Sequence, residues 1–107
     1  MLCVVAAAVA LAARRRPVDV QLAIDYGPRA AKLRNAVLIF RDRSDHVVRR
    51  LELRYPHGAV GALTRPERIS RGEYDIGASL SFEEGAPVPA GATLKVDEEG
   101  TYTLRLY

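Results

Sequence analysis

The sequence predicts an all-β fold: an antiparallel Greek-key sandwich of six to seven strands, preceded by a short apolar N-terminal helix. Three observations carry this prediction. Apolar and polar residues alternate with period two over residues 18–26 and again over residues 74–82. Glycine, proline and aspartate clusters punctuate the chain at the spacing of sandwich turns. After residue 35 no stretch carries the 3.6-residue period of an amphipathic helix.

The first element is the apolar head. Residues 2–13, "LCVVAAAVALAA", are apolar without a break, and Arg14, Arg15, Arg16 and Pro17 follow. At about 1.5 Å per residue a helix of this length falls short of the roughly 30 Å hydrocarbon core. The length fits the apolar region of a signal peptide, and Ala10-Leu11-Ala12 offers a small-x-small cleavage pattern. Against simple secretion, no basic residue precedes the run and three follow it, a flank that tends to stay cytoplasmic. A membrane helix that starts further upstream and a buried helix of the domain are the other readings. Residues 1–16 are therefore expected to be a signal or membrane-anchor segment with a basic membrane flank, its orientation open, and residues 17–107 one β-sandwich domain.

Within that domain Val18, Val20, Leu22, Ile24 and Tyr26 mark a half-buried strand that Gly27-Pro28 ends. Residues 29–34 form a basic connector with one helical turn. The short run Ala36-Val37-Leu38-Ile39-Phe40 reads as a strand covered on both faces. Asp42-Arg43-Ser44-Asp45 is a turn, because Asp and Ser side chains bond nearby backbone N–H groups. In the next strand Val47, Leu51, Leu53 and Tyr55 share one face, while Val48, Arg50, Glu52 and Arg54 share the other. Arg49 breaks the apolar face, which calls for a bulge or an edge position. Pro56-His57-Gly58 closes this strand. Residues 59–69 are irregular, and Pro66 restricts any strand there to an edge. A long strand follows over residues 73–82. Residues 83–92, including "APVPAGA", read as a loop, Leu94 and Val96 as a short strand, Asp97-Glu98-Glu99-Gly100 as a tight turn, and residues 101–106 as the last strand.

Gly72 suits the corner before the long strand, since glycine takes positive φ without steric cost. Tyr74 then places its ring in the core and its hydroxyl at the rim, where a carbonyl near Ser70 lies within reach. Gly72 and Tyr74 are thus expected to be structural, a tyrosine corner. "GEYDI" and "GTYTL" are two strands that each start after a glycine turn.

The runs "VLIFRDRSDHVV" and "ISRGEYDIGASL" carry a family resemblance. Residues 37–82 resemble the carboxypeptidase-regulatory-like and transthyretin-like sandwich domains of bacterial and extracellular proteins. The shared features are an apolar strand with an Asp-led turn, and a connector ending in Gly-x-Tyr and a core strand. Asp45 stands where those domains often carry glycine. The resemblance implies an Ig-like or transthyretin-like sandwich and a noncatalytic module that aids folding, attachment or surface display.

Composition excludes several functions. The chain has 107 residues and a net charge of +3, but Arg14 to Arg16 supply three of its sixteen cations. From Pro17 onward cations and anions balance at thirteen each. A nucleic-acid binder needs a basic face on the domain itself, and none is indicated. Nearly all basic residues are arginine, which together with the alanine load reflects a GC-rich genome. One cysteine, Cys3, permits no internal disulfide. Two histidines, His46 and His57, fall short of a zinc site, and the acidic clusters at 42/45, 83/84 and 97–99 lack calcium-loop spacing, so no cofactor or metal is expected. Ser44-Asp45-His46 are adjacent in sequence, whereas a catalytic triad converges from separate elements.

The expectation is a noncatalytic, membrane-tethered or exported module of the cell envelope with a structural or protein-interaction role. It contacts membrane through the N-terminal segment and offers Arg50, Glu52 and Arg54 as a candidate partner face. The alternative is a ligand- or carbohydrate-binding surface module using the loops at Tyr55-Pro56-His57 and Pro87-Val88-Pro89. A small hydrolase, requiring His46 or His57 to meet carboxylates in a cleft, ranks third. Partner identity and oligomeric state have no signature in the sequence.

Overall fold

The computed structural model describes residues 16–59 and 63–107. The expected N-terminal helix, with Arg14 and Arg15, lies outside the described residues. Among the described residues no helix is long and apolar enough to cross a membrane.

Among the described residues seven strands form two sheets. They are β1 (Pro17–Asp25), β2 (Leu33–Arg41), β3 (Val47–Arg54), β4 (Leu63–Ser70), β5 (Gly72–Phe82), β6 (Val88–Val96) and β7 (Gly100–Arg105). One sheet has the order β4-β1-β7 and the other β3-β2-β5-β6. A 3-10 helix, Gly27–Lys32, crosses between them, with Pro28 at its start and Arg29 and Lys32 in its last turn.

Alternation builds the interior. β1 contributes Val18, Val20, Leu22 and Ile24, β2 contributes Ala36, Leu38 and Phe40, and β5 contributes Tyr74, Ile76, Ala78 and Leu80. Every residue buried as a whole among the described residues is hydrophobic. A sandwich needs only this: one apolar row per strand, with the backbone polar groups consumed in the ladders.

The structure corrects the sequence reading at five places. The pairing of β1 with β7 is parallel, while the other four pairings are antiparallel. β4 is a full eight-residue strand despite Pro66, because it is the edge of its sheet, where a missing N–H costs no ladder bond. β6 begins at Val88 rather than near Leu94, and it too is an edge, which tolerates Pro89. β2 is covered on its inner face, while Val37 and Ile39 on the other face are only half-buried. Finally, Val47 leaves the apolar face. Phe40 pairs with Arg49 and Arg41 with Val47, so Val48 is an extra residue, and this bulge resets the alternation. Val47 is 55% exposed as a result.

The β2–β3 turn is held by Asp42, whose Oδ1 accepts the backbone N–H groups of Ser44 (2.9 Å) and His46 (3.0 Å). Asp45 sits at φ +63, the left-handed region. Aspartate tolerates that region better than most residues, so Asp45 does here what glycine does in other turns.

Candidate functional site

Three groupings of side chains stand out: the tyrosine that ties the β4–β5 corner, the charged row on β3, and an ion cluster between β3 and β4.

The Tyr74 ring is buried, and its hydroxyl donates to the Ser70 carbonyl oxygen at 2.5 Å. Gly72, between them, has φ +153, a conformation that side-chain-bearing residues rarely adopt. Burial raises the Tyr74 pKa above its ordinary value, the charge of Asp42 adds to the rise, and Arg49 opposes it. A hydroxyl held protonated and committed to a carbonyl is a structural tie.

The same geometry recurs one corner later. Gly100 also has φ +153, and Tyr102, two residues on, donates from its hydroxyl to the Glu98 carbonyl at 2.7 Å. The Tyr102 oxygen also accepts the N–H groups of Asp97 and Glu98, each at 3.2 Å. Both corners are Gly-x-Tyr with the hydroxyl reaching back four residues. The likeness of "GEYDI" and "GTYTL" is therefore one local solution used twice, with Tyr74 inside and Tyr102 at the rim.

Arg50, Glu52 and Arg54 share the outer face of β3. Glu52 lies 3.8 Å from the Arg50 guanidinium and 3.7 Å from that of Arg54. All three are exposed, so these pairs contribute little stability. Register places Glu52 beside Val37 of β2, which lies beside Ser79 of β5 and then Pro89 of β6. Arg50 heads the row Ile39, Gly77, Gly91. In these two rows the outer face of the four-stranded sheet is low over β5 and β6, apolar at Val37 and Ile39 of β2 and charged along β3, with the Arg41 guanidinium reaching toward Gly77.

Sequence reasoning missed the third grouping. Arg49 points from the inner face of β3 to the edge of the sandwich and pairs with Glu67 of β4, while donating to the Arg68 carbonyl at 2.5 Å. Arg65 Nε reaches the other Glu67 oxygen at 2.6 Å. The Glu67 side chain is only 8% exposed. The ion cluster closes the seam between the two sheets along β3 and β4. The available signal was Arg49 itself, a charge on an apolar face with a glutamate on a later edge strand.

At the opposite end of the sandwich from the β2–β3 turn, the Tyr26 and Tyr55 hydroxyls meet at 2.9 Å and the rings pack edge to face at 5.5 Å. Burial, followed by the bond to Tyr55, pushes the Tyr26 pKa far up. The 56–58 loop packs on the 3-10 helix through the Ala59 N–H to Ala30 carbonyl bond of 2.9 Å. Gly58 has φ +89, and a Cβ there would lie 2.3 Å from the Ala31 oxygen, so only glycine fits. Tyr55 is thus part of the packing, while His57 is exposed. Pro87 precedes β6 and Val88-Pro89 lies within it.

In the β2–β3 turn, His46 Nδ1 lies 3.9 Å from Asp42 Oδ1, and Asp42 is engaged with backbone N–H groups. The residues in contact there build the turn. Among the described residues no three His, Cys, Asp or Glu side chains are placed to hold a metal ion. Arg16, the described member of the arginine triplet, is exposed at the start of β1.

No family model, curated protein or solved structure matches this chain.

Proposed function

We propose that the chain is a noncatalytic, membrane-tethered or exported sandwich module that binds another protein through the outer face of its four-stranded sheet. The observation that carries the reading is that face. Val37 and Ile39 are half-buried with no second layer over them among the described residues, Gly77, Ser79 and Gly91 leave the neighbouring strands flat, and Arg50, Glu52 and Arg54 border one side. A flat, partly apolar surface edged by arginine matches the composition of protein interfaces. The tether is carried by the apolar head and Arg14 to Arg16. Because β1 begins where that segment ends, the tether leaves from the end bearing the Ser70 corner, which pairs with Pro17.

The transthyretin-like reading of the fold belongs to the same proposal. Sheets of three and four strands and the left-handed Asp45 in the glycine position of the turn support it. The loop-ligand alternative draws no comparable support, since Tyr55 packs edge-on against Tyr26 instead of presenting a stacking surface.

The test combines fractionation with site-specific photo-crosslinking. A reporter fused after Tyr107 is expected in the membrane or exported fraction. A photoreactive residue at Ile39 is expected to capture one discrete protein, and the yield should fall with Arg50→Glu plus Arg54→Glu. The same probe at Asp19, on the outer face of the other sheet, is expected to capture nothing. A cytosolic, untethered chain, or equal capture from both positions, would overturn the reading.

A further inference from the structure

We propose that the free edge of β7 is a docking site for one extended segment of a partner protein, added antiparallel as a fourth strand of the β4-β1-β7 sheet. This goes beyond the function proposed above and does not rest on it, because it uses the other sheet.

The first observation is a mismatch of widths. Three strands lie against four. Along the inner face of β6, Val96 and Leu94 are buried close to the β6–β7 turn, Ala92 and Ala90 are half-buried, and Val88 is 37% exposed. Cover is lost steadily as β6 runs away from β7. The uncovered strip is apolar and follows an extended chain, so its complement is another extended chain.

Hydrogen bonding at β7 points the same way. The Leu106 N–H donates to the Asp25 carbonyl at 2.9 Å, which orients Leu106 toward β1. In a ladder alternate residues face the same neighbour, so Leu104 and Tyr102 also face β1. The N–H and C=O groups of Thr101, Thr103 and Arg105 therefore aim away from it, and among the described residues no strand pairs with that side. A row of unpaired backbone groups is a template for a strand.

The other three edges carry features that block such pairing. β4 has Pro66, β6 has Pro89, and β3 has the Val48 bulge with its charged row. β7 has neither proline nor bulge.

Charge sets the polarity of the guest. Asp97, Glu98 and Glu99 stand at the start of β7 and Arg105 at its end, and the ion pairs among the described residues involve none of them. An antiparallel strand enters beside Arg105 and leaves beside the acidic turn. The fitting segment is acidic at its N-terminal end, apolar at alternate positions and basic at its C-terminal end.

The experiment uses the full chain with a synthetic peptide, Glu-Val-Thr-Val-Thr-Val-Lys, and its charge-swapped form, Lys-Val-Thr-Val-Thr-Val-Glu. The first peptide is expected to slow amide hydrogen exchange about tenfold at Thr101, Thr103 and Arg105, leaving Tyr102 and Leu104 unchanged. The charge-swapped peptide should bind about fivefold more weakly. Thr103→Pro, which removes an outward N–H, and Ala90→Lys, which fills the strip without touching β7, should each abolish the effect. Absence of slowing at millimolar peptide, insensitivity to both substitutions, or equal binding of the two peptides would overturn the proposal. So would protection of the same amides in concentrated chain without peptide, with sedimentation as a dimer, since the occupant would then be a second copy.

Discussion

Replacing Tyr74 with Phe removes one oxygen and leaves the ring in its place. Tyr74 as a whole is 7% exposed, so the apolar packing is retained, and the change isolates the 2.5 Å bond to the Ser70 carbonyl. A neutral hydrogen bond contributes about 0.5–1.5 kcal/mol net, and a carbonyl left unpaired costs about 1–3 kcal/mol when fully buried. Ser70 is half-buried, so water recovers part of that cost, and the expected loss is about 1–2 kcal/mol. For a domain of this size that corresponds to a fall in Tm of roughly 4–12 °C. Tyr102→Phe is the internal control. It breaks a corner of the same design whose hydroxyl bonds are exposed, and water replaces them at about 0.5 kcal/mol or less. Thermal and urea unfolding of the full chain, followed by circular dichroism, would compare the two. No measurable destabilisation by Tyr74→Phe, or a larger loss from Tyr102→Phe, would refute the argument that burial separates the corners.

Other outcomes follow from the same structure. Gly58→Ala is expected to cost more than about 2 kcal/mol, because φ +89 and the Ala31 oxygen oppose any Cβ, whereas Gly100→Ala meets open space and should cost about 1 kcal/mol from strain alone; denaturant midpoints of the two variants would check the order. Tyr26 and Tyr74 both have raised pKa values, so their contribution is complete below the unfolded value of 10.0 and declines as pH rises above it, where the unfolded chain releases phenolic protons that the folded chain keeps. Unfolding free energy measured against pH should therefore fall on the alkaline side, and less steeply in Tyr26→Phe. Arg49→Ala should destabilise by about 1–3 kcal/mol because it strips a partner from the sequestered Glu67 carboxylate, while Arg50→Ala should stay within about 0.5 kcal/mol; a double-mutant cycle with Glu67→Gln would measure the coupling.

The parts of the fold legible in the sequence are those where one local cause dominates. Period-two alternation places β1 and β5, and Asp42 with its short side chain marks the turn it closes. β4 and the first half of β6 were hidden because Pro66, Pro89 and Gly91 are loop signals wherever a strand has two neighbours, and edge position is a property of the assembled sheet. Val37 and Ile39 suggested cover on both faces because apolar content does not record whether a second layer belongs to the same chain. Of the candidate residues, Arg50, Glu52 and Arg54 fall on one face by simple parity. Arg49 and Glu67 meet across eighteen positions, and only the juxtaposition of two sheet edges brings them together. The parallel pairing of β1 with β7 left no trace in either segment.

That pairing governs the order in which the molecule can be assembled. Val20 faces Gly100, eighty positions later, and β1 is the middle strand of its sheet. As the ribosome extrudes the chain, β2, β3 and β5 can zip with near neighbours, but β1 keeps one flank bare until β7 emerges. Contacts this distant along the chain make for slow folding. Until β7 has been made, the nascent protein thus carries a hydrophobic ribbon that is only half-clothed.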